Sequence, residues 1–154
     1  MGLTKWGESL ELRAEVEIAA AADWIWRVLT EIERYPEWNP MVVEAHGKLR
    51  LGAKIRVVQS YPGGRETRMR RKVVCLKPGR ELRWAALLAP IGLLTAEQFF
   101  LLHETDSATT RVTVGENLRG LLLRQDTTRS LQAARGFALF NQALKARAEG
   151  TQRR

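Results

Sequence analysis

The sequence predicts an α+β fold, in which a curved antiparallel sheet of about seven strands wraps around one long C-terminal helix. The segment 123–149 has no proline and one glycine, Gly136, and its apolar side chains recur every three or four residues, as in an amphipathic helix. Most of the chain before this segment alternates between apolar and polar residues, as half-buried strands do. The predicted strands follow one another through short turns, which favours a meander over parallel crossover units.

The first elements are a strand and a short helical region. Residues 10–19 alternate strictly and predict a strand with one buried face. Residues 20–33 change to a helical period, so a short helix pair is expected after this strand. Helical structure is expected to end before Pro36, because the residue that precedes a proline is disfavoured in the α conformation. Two prolines in residues 35–40 predict a stiff turn.

Six further strands are predicted at residues 41–46, 53–60, 65–76, 80–86, 95–103 and 110–118. Glycines and prolines mark the turns between them, most strongly at residues 62–64 and 78–79. Residues 87–93, which include Pro90 and Gly92, are predicted to form an apolar loop. We expect a single domain over residues 1–154, with residues 1–9 and 150–154 as mobile ends.

Composition excludes several classes of site. Cys75 is the one cysteine, so an intramolecular disulfide and the metal sites that need paired cysteines are excluded. Two isolated histidines, His46 and His103, do not predict a metal site, and we expect no metal and no cofactor. The longest apolar run, residues 85–94, is interrupted by Pro90 and Gly92 and is too short to span a membrane. Residues 1–9 lack the apolar core of a signal peptide, so the expected location is cytoplasmic.

The charge balance is strongly basic. The chain has a net charge of +8, which permits attraction to nucleic acid, anionic lipid or an anionic ligand. Five cations lie close together in the predicted strand 65–76, namely Arg65, Arg68, Arg70, Arg71 and Lys72. This strand lacks the interleaved aromatic residues on which nucleic-acid bases stack, so nucleic acid is not the expected partner. A solvated outer face is the favoured interpretation, and a protein partner is left open.

Four segments have the character of one known superfamily. They are residues 33–40 after the first helices, residues 97–101 and 110–116 in two late strands, and residues 136–145 in the long helix. Together they resemble the START-like helix-grip (SRPBCC) superfamily over residues 10–148, and in particular its polyketide cyclase/dehydrase and lipid-transport branch. Glu97 stands where that branch carries the histidine of a His-x-Phe-x-Leu-type strand. The resemblance implies a bent sheet that grips the long helix, with a cavity between them.

The function implied by this resemblance is binding or transport of a hydrophobic small molecule, such as a lipid, a polyketide or an isoprenoid-like compound, in that cavity. The alternative is a polyketide cyclase- or dehydratase-like enzyme that uses acid and base residues in the same cavity. A third interpretation, less favoured, is an interaction module that binds an anionic partner through the basic strand. Fold alone does not decide between a carrier and an enzyme, so no catalytic residue is assigned.

Strand and helix periodicity predicts which side chains face the cavity. The apolar candidates are Ile55, Val57, Met69, Trp84, Phe99, Val114, Phe137, Phe140 and Leu144. For any one of them, simple core packing is the more common role. Trp38 and Asn39 are expected at the rim. Three charged residues share the inward faces, namely Arg71, Glu97 and Glu116. Because buried charges need partners, we expect Arg71 to meet one of the two glutamates inside the cavity or at its mouth. The alternative is a bulge that turns Arg71 to solvent.

Overall fold

Seven antiparallel strands form one sheet in the computed structural model, which describes residues 8–60, 63–89, 93–120 and 127–152. The strands are β1 (Glu8–Ile18), β2 (Val42–His46), β3 (Lys54–Ser60), β4 (Glu66–Lys77), β5 (Glu81–Ala89), β6 (Leu94–Asp106) and β7 (Thr109–Gly120). Their order across the sheet is β1-β7-β6-β5-β4-β3-β2, so each strand from β2 to β7 lies beside its neighbour in sequence. The predicted seven-stranded α+β fold is confirmed.

Two of the predicted turns, at residues 87–93 and 62–64, are described only in part by the structure. Residues 87–89 belong to β5, so the prediction that the loop begins at residue 87 is wrong. The physical reason is that β5 continues its ladder with β6, where Ala89 is opposite Leu94. Residues 90–92 of that predicted loop, and Pro62 of the predicted turn at 62–64, lie outside the described residues.

The helical region after β1 has two parts, α1 (Ala22–Thr30) and a 3-10 helix (Ile32–Glu37). The 3-10 helix includes Pro36, so the prediction that helical structure ends before this proline is wrong. The carbonyl oxygen of Tyr35 accepts hydrogen bonds from two backbone N–H groups that follow, which holds this tight turn closed.

The long C-terminal helix is α2 (Thr127–Gln152), where a helix over residues 123–149 was predicted, and residues 123–126 of that prediction lie outside the described residues. It lies against the inner face of the sheet, and two hydrogen bonds attach the part near its C-terminal end to the rest of the fold. Lys145 Nζ donates to the backbone oxygen of Glu17 at 2.6 Å, and Trp24 Nε1 donates to the backbone oxygen of Ala148 at 3.0 Å. Within the described residues, no helix has both the length and the apolar character needed to cross a membrane.

The hydrophobic core lies between the inner face of the sheet and the helices. Its side chains come from alternate positions of the strands and from one stripe of α2, as the two periodicities require. They include Ile18, Ile55, Val73, Leu82, Val112, Val114, Phe137, Phe140 and Leu144. This core supports one wall of the candidate site.

Candidate ligand-binding site

A small internal cavity lies between the inner face of the sheet, the 3-10 helix and α2. Its volume is about 20 Å³, which is room for about one water molecule. Its apolar lining is formed by Ile32, Met41, Val42, Ala45, Val57, Trp84, Phe100, Phe137 and Phe140. Its polar lining is formed by Tyr35, Asn39, Gln59, Arg71 and Gln98.

Arg71 is the charged residue among the described residues of this lining. It lies on β4 opposite Ile55, and only 2% of its surface is exposed. Its Nη2 donates to Gln59 Oε1 at 3.2 Å and lies 3.4 Å from Met69 Sδ. The register shift in β4 falls between Val73 and Cys75, beyond Arg71, and therefore does not turn this side chain to solvent. A guanidinium is thus held inside the fold beside the cavity.

The other polar groups of the lining are held by the protein itself. Trp84 Nε1 donates to Gln98 Oε1 at 2.7 Å across the β5–β6 pair. Asn39 Oδ1 accepts from the backbone N–H of Met41 at 3.0 Å. The Tyr35 hydroxyl donates to a backbone oxygen, and burial raises the pKa of this phenol above its ordinary value. The Tyr35 side chain is therefore neutral at physiological pH.

A row of aromatic rings occupies much of the space between the sheet and α2. Ring centroids are 5.1 Å apart for Trp84 and Phe100, 5.5 Å for Phe100 and Phe140, and 5.5 Å for Phe140 and Trp38. Trp38 then contacts Tyr35 at 5.0 Å. These edge and tilted contacts are the arrangements that aromatic pairs favour, and they keep the cavity small.

Eleven of the fourteen sequence-predicted site residues fall into three groups. Those that line the cavity are Asn39, Val57, Arg71, Trp84, Phe137 and Phe140. Met69 contacts the Arg71 guanidinium, and Trp38 packs on Phe140. The buried residues that pack in the core without lining the cavity are Ile55, Val114 and Leu144. A ligand-contact role for any of them stays a prediction.

The predicted inward orientation of Glu97 and Phe99 is wrong. Both lie on the outer face of the sheet, where Arg83 Nη1 bonds to Glu97 Oε1 at 2.8 Å and the Arg83 guanidinium lies 5.2 Å from the centre of the Phe99 ring. The inward side chains of β6 are Gln98 and Phe100. Arg71 and Glu97 therefore lie on opposite faces of the sheet and do not meet.

Glu116 is on the inner face by its register. It lies on β7 between Leu12 of β1 and Gln98 of β6, and it is half-buried. It is not among the residues that line the cavity. The expectation that Arg71 acts together with Glu116 stays a prediction.

The two glutamines of the lining, Gln59 and Gln98, were not predicted from the sequence. Gln59 has the same strand parity as Val57, so alternation carried a signal for it. Gln98 has the parity of Phe100, which the sequence does not mark as inward because residues 99–102 are all apolar. Both glutamines are buried. Gln59 accepts a hydrogen bond from Arg71, and Gln98 accepts one from the indole of Trp84. Among the described residues, no three His, Cys, Asp or Glu side chains are grouped to bind a metal ion.

Comparison with solved structures finds the START-like fold repeatedly. A START superfamily protein from Mycobacterium smegmatis matches with a TM-score of 0.76 and 18% identity, over 92% of this chain and 98% of that chain. The Zhui aromatase/cyclase from Streptomyces sp. R1128 matches with a TM-score of 0.74 and 18% identity, over 92% and 94% of the two chains. A norcoclaurine synthase point mutant from Thalictrum flavum matches with a TM-score of 0.71 and 14% identity, over 94% and 97%. At these identities the likeness shows the fold alone.

The family is established by sequence. The family model described as polyketide cyclase/dehydrase and lipid transport matches residues 9–149. The chain therefore belongs to this family, and the predicted START-like resemblance is confirmed. No curated protein matches the chain. Members of this fold family bind hydrophobic ligands or cyclise polyketides.

Proposed function

We propose that the protein is a cytoplasmic binder or carrier of a hydrophobic small molecule that has an acceptor oxygen. In this proposal the apolar part of the ligand lies along the aromatic row, and its oxygen accepts hydrogen bonds from Arg71. The observation that supports the proposal is the buried Arg71 guanidinium beside a cavity whose other described lining residues are apolar or neutral.

The chemistry of the lining defines the ligand class. Small-molecule sites are mostly apolar, with a few placed polar groups that fix the orientation of the ligand. A guanidinium offers several donors in a rigid plane, which suits a carboxylate, an enolate, a phenolate or a carbonyl oxygen. Such bonds are stronger in a dry interior than in water. A lipid, polyketide or isoprenoid-like molecule with an oxygen at one end has the required chemistry.

Uptake requires the cavity to expand, because ligand pockets have volumes of about 300 Å³ or more and this cavity has about 20 Å³. The attachments near Lys145 and Ala148 hold the C-terminal part of α2. Further toward its N-terminus, Leu131 is 56% exposed and Leu139 is 36% exposed. We expect this part of the helix, with Phe137, to move outward when a ligand enters.

Native mass spectrometry of the purified protein, followed by organic extraction, tests the proposal. A co-purifying hydrophobic molecule with an acceptor oxygen is the expected result, and its mass identifies the ligand. The same protein is then titrated with that ligand while its tryptophan fluorescence is followed, because Trp84 lines the cavity. A clean apo mass, together with no uptake from a panel of fatty acids, quinones and polyphenols, would contradict the proposal.

Replacing Gly136 with tryptophan is expected to lower ligand uptake by about tenfold. Gly136 is buried on α2 and precedes Phe137, which lines the cavity, so we expect a large side chain there to intrude on the space between α2 and the sheet. Ala138→Trp is the matched control, because Ala138 is exposed on the same helix. Unchanged uptake of a fluorescent lipid by the Gly136 variant would count against this interpretation.

A cyclase-like activity is the second candidate, and the position of Arg71 favours it. A buried guanidinium can stabilise the negative charge that develops on an enolate oxygen during ring closure. The described lining residues include no carboxylate and no histidine, and the Tyr35 phenol is neutral, so proton transfer by the lining is not proposed. Faster cyclisation of a linear poly-β-ketone analogue by the wild type than by Arg71→Met would support this activity. Equal rates would remove it.

A further inference from the structure

The outer face of β3 and β4 carries a cluster of cations that the proposed binding function does not use. Its members alternate with the inward residues of the two strands, and all are exposed. We call this cluster the basic face, and it consists of Lys54, Arg56, Arg68, Arg70 and Lys72.

Strand register brings these like charges directly opposite one another. Lys54 is paired with Lys72, and Arg56 is paired with Arg70. Side chains at directly opposite positions are the closest neighbours across two strands, and like charges there destabilise the pair. The stability of the sheet therefore does not account for this arrangement.

The rest of the outer face is built differently. Arg111 of β7 bonds to Glu17 of β1 at 3.3 Å, and Arg83 of β5 bonds to Glu97 of β6 and to Glu81. These cations are thus neutralised by carboxylates on the same or the adjacent strand. None of the five cations of the basic face forms an ion pair with a residue that the structure describes. The outer face of β1, β7, β6 and β5 is thus electrically balanced. The five cations of the basic face share the outer side of β2, β3 and β4 with the exposed carboxylates of Glu44 and Glu66 and are in excess of them.

Exposed aliphatic side chains border the basic face. Leu87 lies on β5 two residues beyond Ala85, which is opposite Lys72, and Leu87 is 63% exposed. Leu51 is 70% exposed in the turn before β3, where the next backbone N–H donates to the oxygen of Val73 on β4. Val74 follows on β4 and is also exposed.

We propose that the basic face is a docking surface for an anionic lipid bilayer. Each lysine or arginine near such a surface is attracted to the negative headgroups, and clusters of four to eight such residues are typical of binding to anionic lipid. The bordering leucines can enter the interface between headgroups and acyl chains. A nucleic acid is the less favoured partner, because β3 and β4 have no aromatic residue for base stacking and aliphatic contacts add nothing to phosphate binding.

Vesicle co-sedimentation tests this inference with the full chain. The probes are phosphatidylcholine vesicles with and without about one-third phosphatidylserine, at salt concentrations of about 0.05 M and about 0.5 M. The expected result is binding to the anionic vesicles alone, with strong weakening at high salt. No binding to anionic vesicles at low salt would overturn the proposal.

The Arg70→Glu variant tests whether the basic face makes the contact with the vesicle. It changes the local charge by two, and each charge contributes a factor of about five, so affinity is expected to fall by about 25-fold. The new carboxylate lies opposite Arg56, so the melting temperature is expected to stay equal or rise, which separates lost docking from lost folding. Arg56→Gln, with an expected loss of about fivefold, is the second variant.

Arg135→Glu is the matched control, because Arg135 is exposed on α2, on the other side of the sheet. Its affinity for anionic vesicles is expected to change by less than about threefold. Equal losses in the Arg70 and Arg135 variants would mean that only net charge matters, and this would overturn the docking surface. Tighter binding to duplex DNA than to anionic vesicles at the same salt concentration would also overturn it, in favour of a nucleic-acid partner.

Discussion

Replacing Gly115 with alanine is expected to lower the free energy of unfolding by about 3 kcal/mol or more. A Cβ atom at this position would lie 2.3 Å from Cζ of Phe99 and 2.4 Å from the backbone oxygen of Leu12. Phe99 is buried across Gly115 on the outer face, and Leu12 belongs to β1, which pairs with β7 at this point. Neither neighbour can withdraw without breaking a strand ladder or exposing an aromatic ring.

Urea unfolding followed by circular dichroism measures this effect. Gly150→Ala is the control, because Gly150 lies in α2 and has no neighbouring atom within 4 Å of an added Cβ. That control is expected to leave stability unchanged or to raise it by up to about 1 kcal/mol, since alanine favours helix more than glycine does. A Gly115 variant as stable as the wild type would show that Phe99 and β1 can move apart at little cost.

Replacing Arg71 with methionine is expected to weaken binding of the oxygen-bearing ligand by about 100-fold. Methionine keeps an apolar chain of similar length beside Met69 and Gln59, but it offers no donor to the ligand. Gln59 Oε1 loses the hydrogen bond that Arg71 Nη2 makes at 3.2 Å, so a stability loss of about 1–3 kcal/mol is expected as well. Fluorescence titration of the folded variant measures the binding change.

Two comparisons separate the contribution of the Arg71 guanidinium to ligand affinity from the other effects of the substitution. A ligand analogue without the acceptor oxygen should bind the wild type and Arg71→Met with nearly equal affinity. Arg68→Met, the same substitution on the exposed face of β4, should bind the intact ligand as the wild type does. If Arg71→Met also retained full affinity for the intact ligand, oxygen recognition by Arg71 would be wrong.

Periodicity was sufficient to predict the fold, but it could not orient β6. Residues 99–102 of β6 are all apolar, so both of its faces look buried in the sequence. Only pairing resolves the choice, because Phe100 is opposite Val114, which faces the core, while Phe99 is opposite Gly115. A glycine inside a strand often marks close approach by another group, and here it makes room for the Phe99 ring on the outer face.

The candidate site could be predicted from the sequence where apolar and polar residues alternate regularly along a strand. Arg71 shares its face of β4 with Met69 and Val73, and its inward orientation follows from that pattern. Its hydrogen bond to Gln59 depends on the β3–β4 register, which the sequence does not specify. The small cavity volume depends on how the rings between Trp84 and Trp38 pack together, and this is a property of three-dimensional packing that composition does not contain.

The position of β1 has a consequence for how the chain folds. The strands from β2 to β7 can pair in succession as local hairpins, but β1 pairs only with β7, so that Glu8 meets Gly120. Closing so long a loop is entropically costly, and contacts of this kind slow folding. Docking of β1 therefore costs more chain entropy than closing any of the hairpins, and the edge of β7 stays unpaired until β1 docks.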